Sequence, residues 1–210
     1  MSARSRFTFL SVLLCGCFTC GSVFARDLEF NFKDPKGVNS VLFVLDSMFE
    51  PIMGLATGIS GKIKFKPADP KKISGRLVID AKSVRCSLPA MTSVMHSKDW
   101  LDVKSHPTIE FVFKRVQSVS SQDDNVTEMM VVGDFQCKGV TKEIVVPVKI
   151  TYLPGQLKKR MRRGKGDLLV LRSAFTIKRS DFGIKPDMGP DNVAEDIEVR
   201  ISIVGAARRK

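Results

Sequence analysis

The chain has 210 residues, of which 43% are hydrophobic, and it carries a formal net charge of +12. This length fits one ordinary domain, and the apolar content is sufficient to bury a sizeable core. Because hydrophobic and charged residues are both abundant, the composition excludes a chain that is disordered throughout. The 14 Phe residues, against one Trp and one Tyr, favour apolar packing over hydrogen-bonding stacking platforms.

The N-terminal segment has the parts of a secretory signal peptide. Arg4 and Arg6 form a basic start, an apolar run follows over residues 7–17, and the segment ends at the small residue Ala25. The apolar run is shorter than the roughly 20 residues that a membrane-spanning helix requires. We therefore predict a signal peptide over residues 1–25, a single domain over the remainder (26–210), and a periplasmic or secreted protein.

The cysteines bear on both processing and redox chemistry. Residues 14–17 (Leu-Cys-Gly-Cys) loosely resemble a lipobox, so lipoprotein anchoring at Cys17 is the alternative to simple cleavage. A chain cut after residue 25 retains Cys86 and Cys137. These two either form one disulfide in an oxidising compartment or are small buried hydrophobic side chains. In the chain beyond residue 25, the absence of a CxxC pair or a Cys/His cluster disfavours structural zinc.

Beyond the leader, short segments alternate apolar and polar residues, which is the pattern of half-buried strands. The clearest runs from Ile197 to Ile203, with Glu198, Arg200 and Ser202 on the polar face. Eight such segments are present, over residues 41–45, 59–65, 77–81, 109–113, 129–137, 144–150, 173–178 and 197–203. The short breaks between them favour antiparallel pairing, and this number of strands favours a closed barrel or a sandwich.

One segment, residues 89–101, departs from this alternation. Met91, Val94 and Met95 are separated by three and four positions, which is helical spacing. We predict one or two short helices here, ending near Trp100. They fall between the third and fourth strands, at an open end or along one side of the barrel.

No constellation of residues indicates catalysis. The motifs GxSxG, HExxH, GxGxxG and the P-loop are absent. His96 and His106 lack suitably spaced carboxylates for a metal site, and Asp99 and Asp102 are typical of solvent-facing residues at a helix end. We predict a protein that is not an enzyme and that has no metal site and no cofactor.

The one dense run of charge is basic and lies between the sixth and seventh strands, where we predict a long exposed hairpin loop. Its cations are Lys158, Lys159, Arg160, Arg162, Arg163 and Lys165. Such a loop either docks on anionic phospholipid headgroups, at up to about 1 kcal/mol per basic residue, or is a solvated loop that keeps the protein soluble. It has no interleaved aromatic residues, which disfavours nucleic acid as a partner.

Three motifs, in matching order and spacing, resemble the YceI-like family over about residues 39–204. Residues 99–103 (Asp-Trp-Leu-Asp-Val) and 106–111 (His-Pro-Thr-Ile-Glu-Phe) are similar to its D-F-F-D-V … Y-P-x-I-x-F signature. Residues 135–144 are similar to its L-T-x-x-G-V-T-K-x-V strand pair, and residues 179–184 match its R-S-D-F-G-I run.

This resemblance implies an extended lipocalin-like barrel of eight antiparallel strands. Its members are bacterial, are usually exported to the periplasm, and hold an isoprenoid-type chain, such as a polyprenyl or quinone tail, inside the barrel. One position departs from the pattern, because the first family strand commonly carries a histidine where this chain has Leu45 and Asp46. If that histidine contacts the ligand head in relatives, a different head group is expected here.

The alternation assigns one face of each strand to the barrel interior, and a shift of one residue would invert a strand. The apolar lining predicted in this way consists of Phe43, Ile63, Phe65, Ile79, Ile109, Phe111, Phe113, Val131, Phe135, Val146, Val148, Phe175, Val199 and Ile201. A small barrel encloses either packed side chains or one small ligand. The sequence thus predicts a carrier for a long apolar molecule. The alternative is a non-catalytic interaction module with a filled barrel, whose basic loop docks on an anionic membrane or a protein partner. An open-ended barrel is also compatible with a homodimer.

Arg179 and Asp181 are the best polar candidates for a mouth that contacts the ligand head. They precede the last predicted strand, in the turn that includes Gly183. The alternative is structural: Gly183 supplies a permissive backbone, and Arg179 pairs with Asp181 or caps loop carbonyls.

Overall fold

A computed structural model describes residues 27–123 and 125–209. The predicted signal peptide, its cleavage site and Cys17 lie outside the described residues. The strands of the described part are β1 (Leu28–Asn31), β2 (Ser40–Leu45), β3 (Ile52–Ala56), β4 (Ile59–Phe65), β5 (Ser74–Asp80), β6 (Val84–Cys86), β7 (Thr108–Asp123), β8 (Val126–Cys137), β9 (Val140–Leu153), β10 (Lys165–Lys178) and β11 (Asp196–Arg209).

Two short α-helices and three 3-10 turns connect these strands. The helices are α1 (Pro89–His96) and α2 (Leu157–Met161), and the turns are Pro70–Lys72, Ala81–Ser83 and Ser180–Phe182. Among the residues just described, neither helix has the length and apolar character needed to span a membrane.

Eight of the strands form a closed antiparallel barrel. Their order is β1-β4-β5-β7-β8-β9-β10-β11, and β11 returns to β1. β2 pairs with β11 beyond the end of β1, and it carries β3 and then β6 as an extension at one end of the barrel. The predicted eight-stranded antiparallel barrel is confirmed, with α1 between its third and fourth strands, β5 and β7.

The composition of the barrel differs from the prediction in one respect. The first predicted strand, residues 41–45, is β2, which belongs to the extension and not to the ring. Its place in the ring is taken by β1, which was not predicted. β1, β3 and β6 have only four, five and three residues, so alternation over them is too brief to stand out.

One side chain completes the junction between β1 and β11, where Asn31 pairs with Ala206. The carboxamide of buried Asn39 donates from Nδ2 to the carbonyl oxygens of Phe32 and Val204, at 3.1 Å each. Its Oδ1 accepts from the Val204 N–H at 2.9 Å. Asn39 therefore supplies the donor and the acceptor that a paired backbone would otherwise provide.

The barrel interior is divided along its axis. At the end where β1 pairs with β4, a set of buried side chains fills the space, and we call this the packed half: Phe30, Phe32, Ile63, Phe65, Met129, Val131, Ile150, Leu169 and Ala207. Phe32 lies so close to Gly205 that a Cβ there would be 2.7 Å from its ring. The other end, towards β2, β3 and α1, encloses a cavity, and we call it the hollow half.

Candidate binding cavity

The hollow half contains an apolar cavity of about 130 Å³. Eleven side chains of the predicted lining border this cavity: Phe43, Ile79, Ile109, Phe111, Phe113, Phe135, Val146, Val148, Phe175, Val199 and Ile201.

The other three predicted lining residues do not border the cavity. Ile63, Phe65 and Val131 face the interior but are at most 2% exposed and lie in the packed half. Alternation distinguishes the inner face of a strand from the outer one. It carries no information on how far along the barrel axis the interior is filled.

Aromatic rings form part of the cavity wall by lying against glycines on neighbouring strands. A Cβ on Gly133 would be 2.4 Å from the Phe111 ring, and a Cβ on Gly54 would be 2.5 Å from the Phe43 ring. In each case the ring occupies the space of the missing side chain. Any larger residue at Gly133 would push the Phe111 ring away from the wall.

The end of the cavity is closed by residues outside the strands, which the predicted lining did not include. Met95 of α1, Trp100 and Leu101 after it, and Ile184 after the last 3-10 turn all line the cavity and are at most 7% exposed. Phe182 backs this wall, with its ring centroid 5.3 Å from that of Phe135 in an edge-to-face contact. Trp100, Leu101 and Ile184 fall within the family motifs. These motifs were therefore the sequence signal from which the three lining residues could have been predicted.

The structure does not bring Arg179 to the cavity, where a polar mouth was predicted. Arg179 is 1% exposed and does not line the cavity. Its Nε donates to the Ala194 carbonyl oxygen at 3.1 Å, and its Nη atoms donate to the carbonyl oxygens of Ile184, Lys185, Met188 and Val193. The guanidinium is thereby committed to holding the loop before β11, which is the structural alternative.

Asp181 does not contribute a mouth either. It is exposed, lies outside the cavity lining, and forms an ion pair with Lys142 of β9. Asp181 is therefore paired with Lys142 of β9 and not with Arg179.

Both cysteines of the described part are free thiols. Cys137 lines the cavity, and its burial raises the pKa of the thiol to about 12. Burial also raises the pKa of the Cys86 thiol. Cys137 thus matches the interpretation of a small buried hydrophobic side chain, whereas Cys86 is only partly buried.

The basic segment after β9 is not a fully exposed loop as predicted. It contains α2, whose Leu157 is 2% exposed and packs near Gly166. Arg160 turns towards the protein and forms a two-point ion pair with Asp34, at 2.9 and 2.8 Å. This pair lowers the pKa of Asp34 to about 2, chiefly through the hydrogen bond from Arg160.

The remaining cations of that segment, Lys158, Lys159, Arg162, Arg163 and Lys165, are exposed. Membrane docking through these five residues stays a prediction.

Neither histidine belongs to a metal site in the described structure. His96 contacts the Val84 carbonyl oxygen through Nε2 at 2.9 Å, and the His106 ring lies against Gly139. Across residues 27–123 and 125–209, no group of three or more His, Cys, Asp or Glu side chains is arranged to hold a metal ion.

The cavity is lined almost entirely by carbon. Glu110 is its one carboxylate among the described residues, and it accepts a hydrogen bond from Thr108 Oγ1 at 3.0 Å and lies 3.6 Å from Arg76. Ser173, the other polar lining residue, donates to the Pro147 carbonyl oxygen at 2.6 Å. The interior therefore suits an apolar ligand and offers few directional contacts.

Solved structures share this fold. A crystal structure of BcnA from Burkholderia cenocepacia aligns with a TM-score of 0.64 and 23% identity, covering 79% of this chain and 95% of that one. A polyisoprenoid-binding domain from Saccharophagus degradans aligns with a TM-score of 0.59 and 13% identity, covering 87% and 99%. At these identities the likeness establishes the fold alone.

Sequence comparisons point to the same group. A UPF0312 protein of Pseudomonas aeruginosa (strain LESB58) is 24% identical over 190 residues, covering 90% of this chain and 91% of that protein. A UPF0312 protein of Pseudomonas syringae pv. syringae is 28% identical over 153 residues, covering 71% and 70%. The model of the YceI-like domain matches residues 34–205. The chain belongs to the YceI-like domain family.

Proposed function

We propose that this protein is an exported, non-catalytic carrier that holds a long apolar chain of the isoprenoid type in the hollow half of its barrel. The single observation that carries the proposal is the carbon-lined cavity, bordered by residues of the ten strands β2 to β11 and closed at one end by Trp100 and Leu101. The structural likeness to a polyisoprenoid-binding domain supports the ligand class. The predicted signal peptide supports a location in the periplasm.

The physics of such a cavity favours long ligands. Association costs about 4–15 kcal/mol in lost freedom, whereas each buried methylene contributes only about 0.8 kcal/mol. A ligand of a few carbons therefore does not offset this cost, which takes about 5–19 buried methylenes. An apolar wall selects by length and shape more than by functional group, so the proposal specifies a chain and not one compound.

The direct experiment is mass spectrometry of an organic extract from the purified protein. The expected result is a long-chain lipid in stoichiometric amount. A matched pair of variants gives this experiment its control: Val199→Trp places an indole in the cavity, whereas Val112→Trp places it on the outside of β7, where Val112 is 39% exposed.

We expect lipid to be lost from the Val199→Trp protein and retained by the Val112→Trp protein. An extract that contains no lipid, together with a wild-type protein that takes up no added long-chain compound, overturns the proposal. Binding that survives unchanged in the Val199→Trp protein places any ligand elsewhere.

The alternative function, an interaction module with a filled barrel, is favoured only by the packed half. Its working surface would be the exposed cations of the basic segment. Substitution of those cations by Ser, with lipid uptake intact and activity lost, would favour it.

A further inference from the structure

One seam of the barrel is only half paired. The ladder between β9 and β10 covers residues 149–153 against residues 168–172. In contrast, β8 pairs with β9 over residues 126–137, and β10 pairs with β11 along the whole of β10. Residues 140–148 and 173–178 thus flank a seam without ladder pairing, and this seam runs beside the hollow half.

The sequence supplies a reason for the break. Continuing the register by two residues beyond Lys149 and Arg172 brings Pro147 opposite Ala174. Pro147 has no N–H to donate to β10, and its carbonyl oxygen is taken by the Ser173 hydroxyl at 2.6 Å. A proline in a strand is tolerated where the ladder ends, which is its position here.

A groove lies on the outer surface at this seam. Pro147, Lys149, Arg172 and Arg200 line it, together with Glu128 and neighbouring residues. Three residues, Val148, Ser173 and Ile201, line both this groove and the internal cavity. The groove and the cavity are therefore separated by a wall one side chain thick, at the place where the strands are not paired.

The groove concentrates positive charge. Lys149 and Arg172 are directly opposite each other across the two strands, and Arg200 is diagonal to Arg172 on β11. Like charges in direct opposition destabilise a sheet, and an anion bound between them would relieve this repulsion. Lys149 contacts Glu128 at 2.7 Å and Arg200 lies 3.5 Å from Glu198. In the described part of the chain, no carboxylate lies within 4.0 Å of the Arg172 guanidinium.

The internal cavity has the opposite character. No lysine or arginine is among the described residues that line it. An anionic head group inside would lose its hydration without gaining a counter-charge, which is costly. A ligand with a charged head must therefore keep that head outside the cavity.

We propose that the seam groove binds the anionic head group, a phosphate or a carboxylate, of a single-chain amphiphile whose tail passes between β9 and β10 into the cavity. This inference rests on the proposed function, since it needs a tail in the hollow half. Arg172 presents a planar set of donors suited to either head, and Lys149 adds a point charge beside it.

The experiment compares three ligands with the same sixteen-carbon chain: hexadecyl phosphate, hexadecanoate and hexadecan-1-ol, each below its aggregation threshold. Their affinities are measured by calorimetry at low ionic strength for the wild type, for an Arg172→Gln/Lys149→Gln variant, and for a Lys64→Gln/Lys71→Gln control. The control removes the same charge from exposed lysines away from the seam.

We expect the wild type to bind the two anionic ligands about tenfold more tightly than the alcohol, as charge-assisted hydrogen bonds imply. The seam variant loses most of this advantage and keeps its affinity for the alcohol, whereas the control keeps the advantage. The advantage also decreases as salt is added. The ratio between the phosphate and the carboxylate ligands identifies the preferred head.

An anionic advantage that persists in the seam variant, or that falls equally in the control, overturns the inference. Binding of the alcohol distinguishes failure of the proposed function from failure of the seam site alone. If the alcohol does not bind at all, the proposed function fails; if it binds as well as the anionic ligands do, only the seam site fails.

Discussion

The packed half and the hollow half are built on the same strands and put the same residue types to different uses. In the packed half, the Phe32 ring fills the interior because the segment between β1 and β2 carries it inward over Gly205. In the hollow half, the rings of Phe43 and Phe111 are held back against glycines on neighbouring strands. In both halves a glycine leaves room for an aromatic ring. The position of that glycine therefore decides which part of the barrel interior the ring covers.

The two halves also differ in how their ends are held. In the packed half, two carboxylates are buried: Asp34 pairs with Arg160, and Asp167 accepts from Gly155 N at 2.7 Å and from Arg209 Nη2 at 2.8 Å. In the hollow half, the buried ion is Arg179, and its partners are chiefly neutral carbonyl groups. The stability of the packed end therefore depends on pH through Asp34, whose pKa is lowered by Arg160, whereas the stability of the other end depends on how the Arg179 guanidinium fits its carbonyl partners.

The largest expected effect is a difference between matched truncations. Phe32→Ala, in the packed half, should lower the free energy of unfolding by about 4 kcal/mol, because it opens a void in a fully buried site. Phe43→Ala, in the cavity wall, should lower it by only about 1–2 kcal/mol and should alter lipid binding. Urea denaturation measures both. Equal losses would contradict the division of the interior.

The second effect concerns Arg179. Arg179→Lys should destabilise the protein by about 2–4 kcal/mol, since a lysine cannot serve the same spread of buried carbonyls. The control is Asp181→Asn, an exposed neighbour whose loss should change the free energy of unfolding by less than about 0.5 kcal/mol. A tolerated Arg179→Lys, with unchanged denaturation midpoint, would show that the carbonyl network contributes little.

The third effect is a pH dependence confined to the packed end. The pKa of Asp34 is lowered from 3.8 to about 2, so the folded state favours the ionised carboxylate. This stabilisation is present above pH 3.8 and is lost as the pH falls through about 2, and it amounts to about 2 kcal/mol. Asp34→Asn should remove it, giving a lower free energy of unfolding at pH 7 and a flatter dependence between pH 4 and 2. If the free energy of unfolding of the variant falls as steeply between pH 4 and 2 as that of the wild type, Asp34 is not the source of this pH dependence.

The smallest effect is a probe of the cavity itself. At pH 8, burial of Cys137 should slow its alkylation by N-ethylmaleimide, since a thiol with a pKa of about 12 is almost entirely protonated. Bound lipid should slow the reaction further, because Cys137 lines the cavity. In the packed half, a cysteine introduced by Val131→Cys should be insensitive to lipid. Equal protection at both positions would contradict a ligand confined to the hollow half.

The sequence predicted the barrel well because most strands alternate cleanly, and it failed where the alternation is interrupted. β7 extends to Asp123, yet only residues 109–113 were recognised. Register shifts follow Phe113, Val116 and Val119, and each bulge inserts one residue, so the inward residues are three apart there. A period-2 pattern cannot reveal such a strand.

The start of β10 was missed for a different reason. Leu168, Leu169 and Leu171 are all at most 5% exposed, and α2 contacts both β10 and β11. A strand covered on both faces has no polar side and does not alternate. The role of Arg160 was missed because its partner, Asp34, is 126 residues away in the chain. Composition of the loop alone suggested a solvent-facing cation.

The closure of the barrel by Asn39 has a consequence for how much the N-terminal region can vary. A carboxamide carries the same hydrogen-bonding pair as a peptide group, so one residue replaces a rung of the sheet without requiring a continuous strand. The segment between Phe32 and Asn39 therefore has no strand register to keep, and its remaining constraint is the Asp34–Arg160 ion pair. Insertions there should be accommodated as long as the amide and this ion pair are kept, whereas aspartate at position 39, with no N–H to offer, would leave the Phe32 and Val204 carbonyl oxygens without their donor.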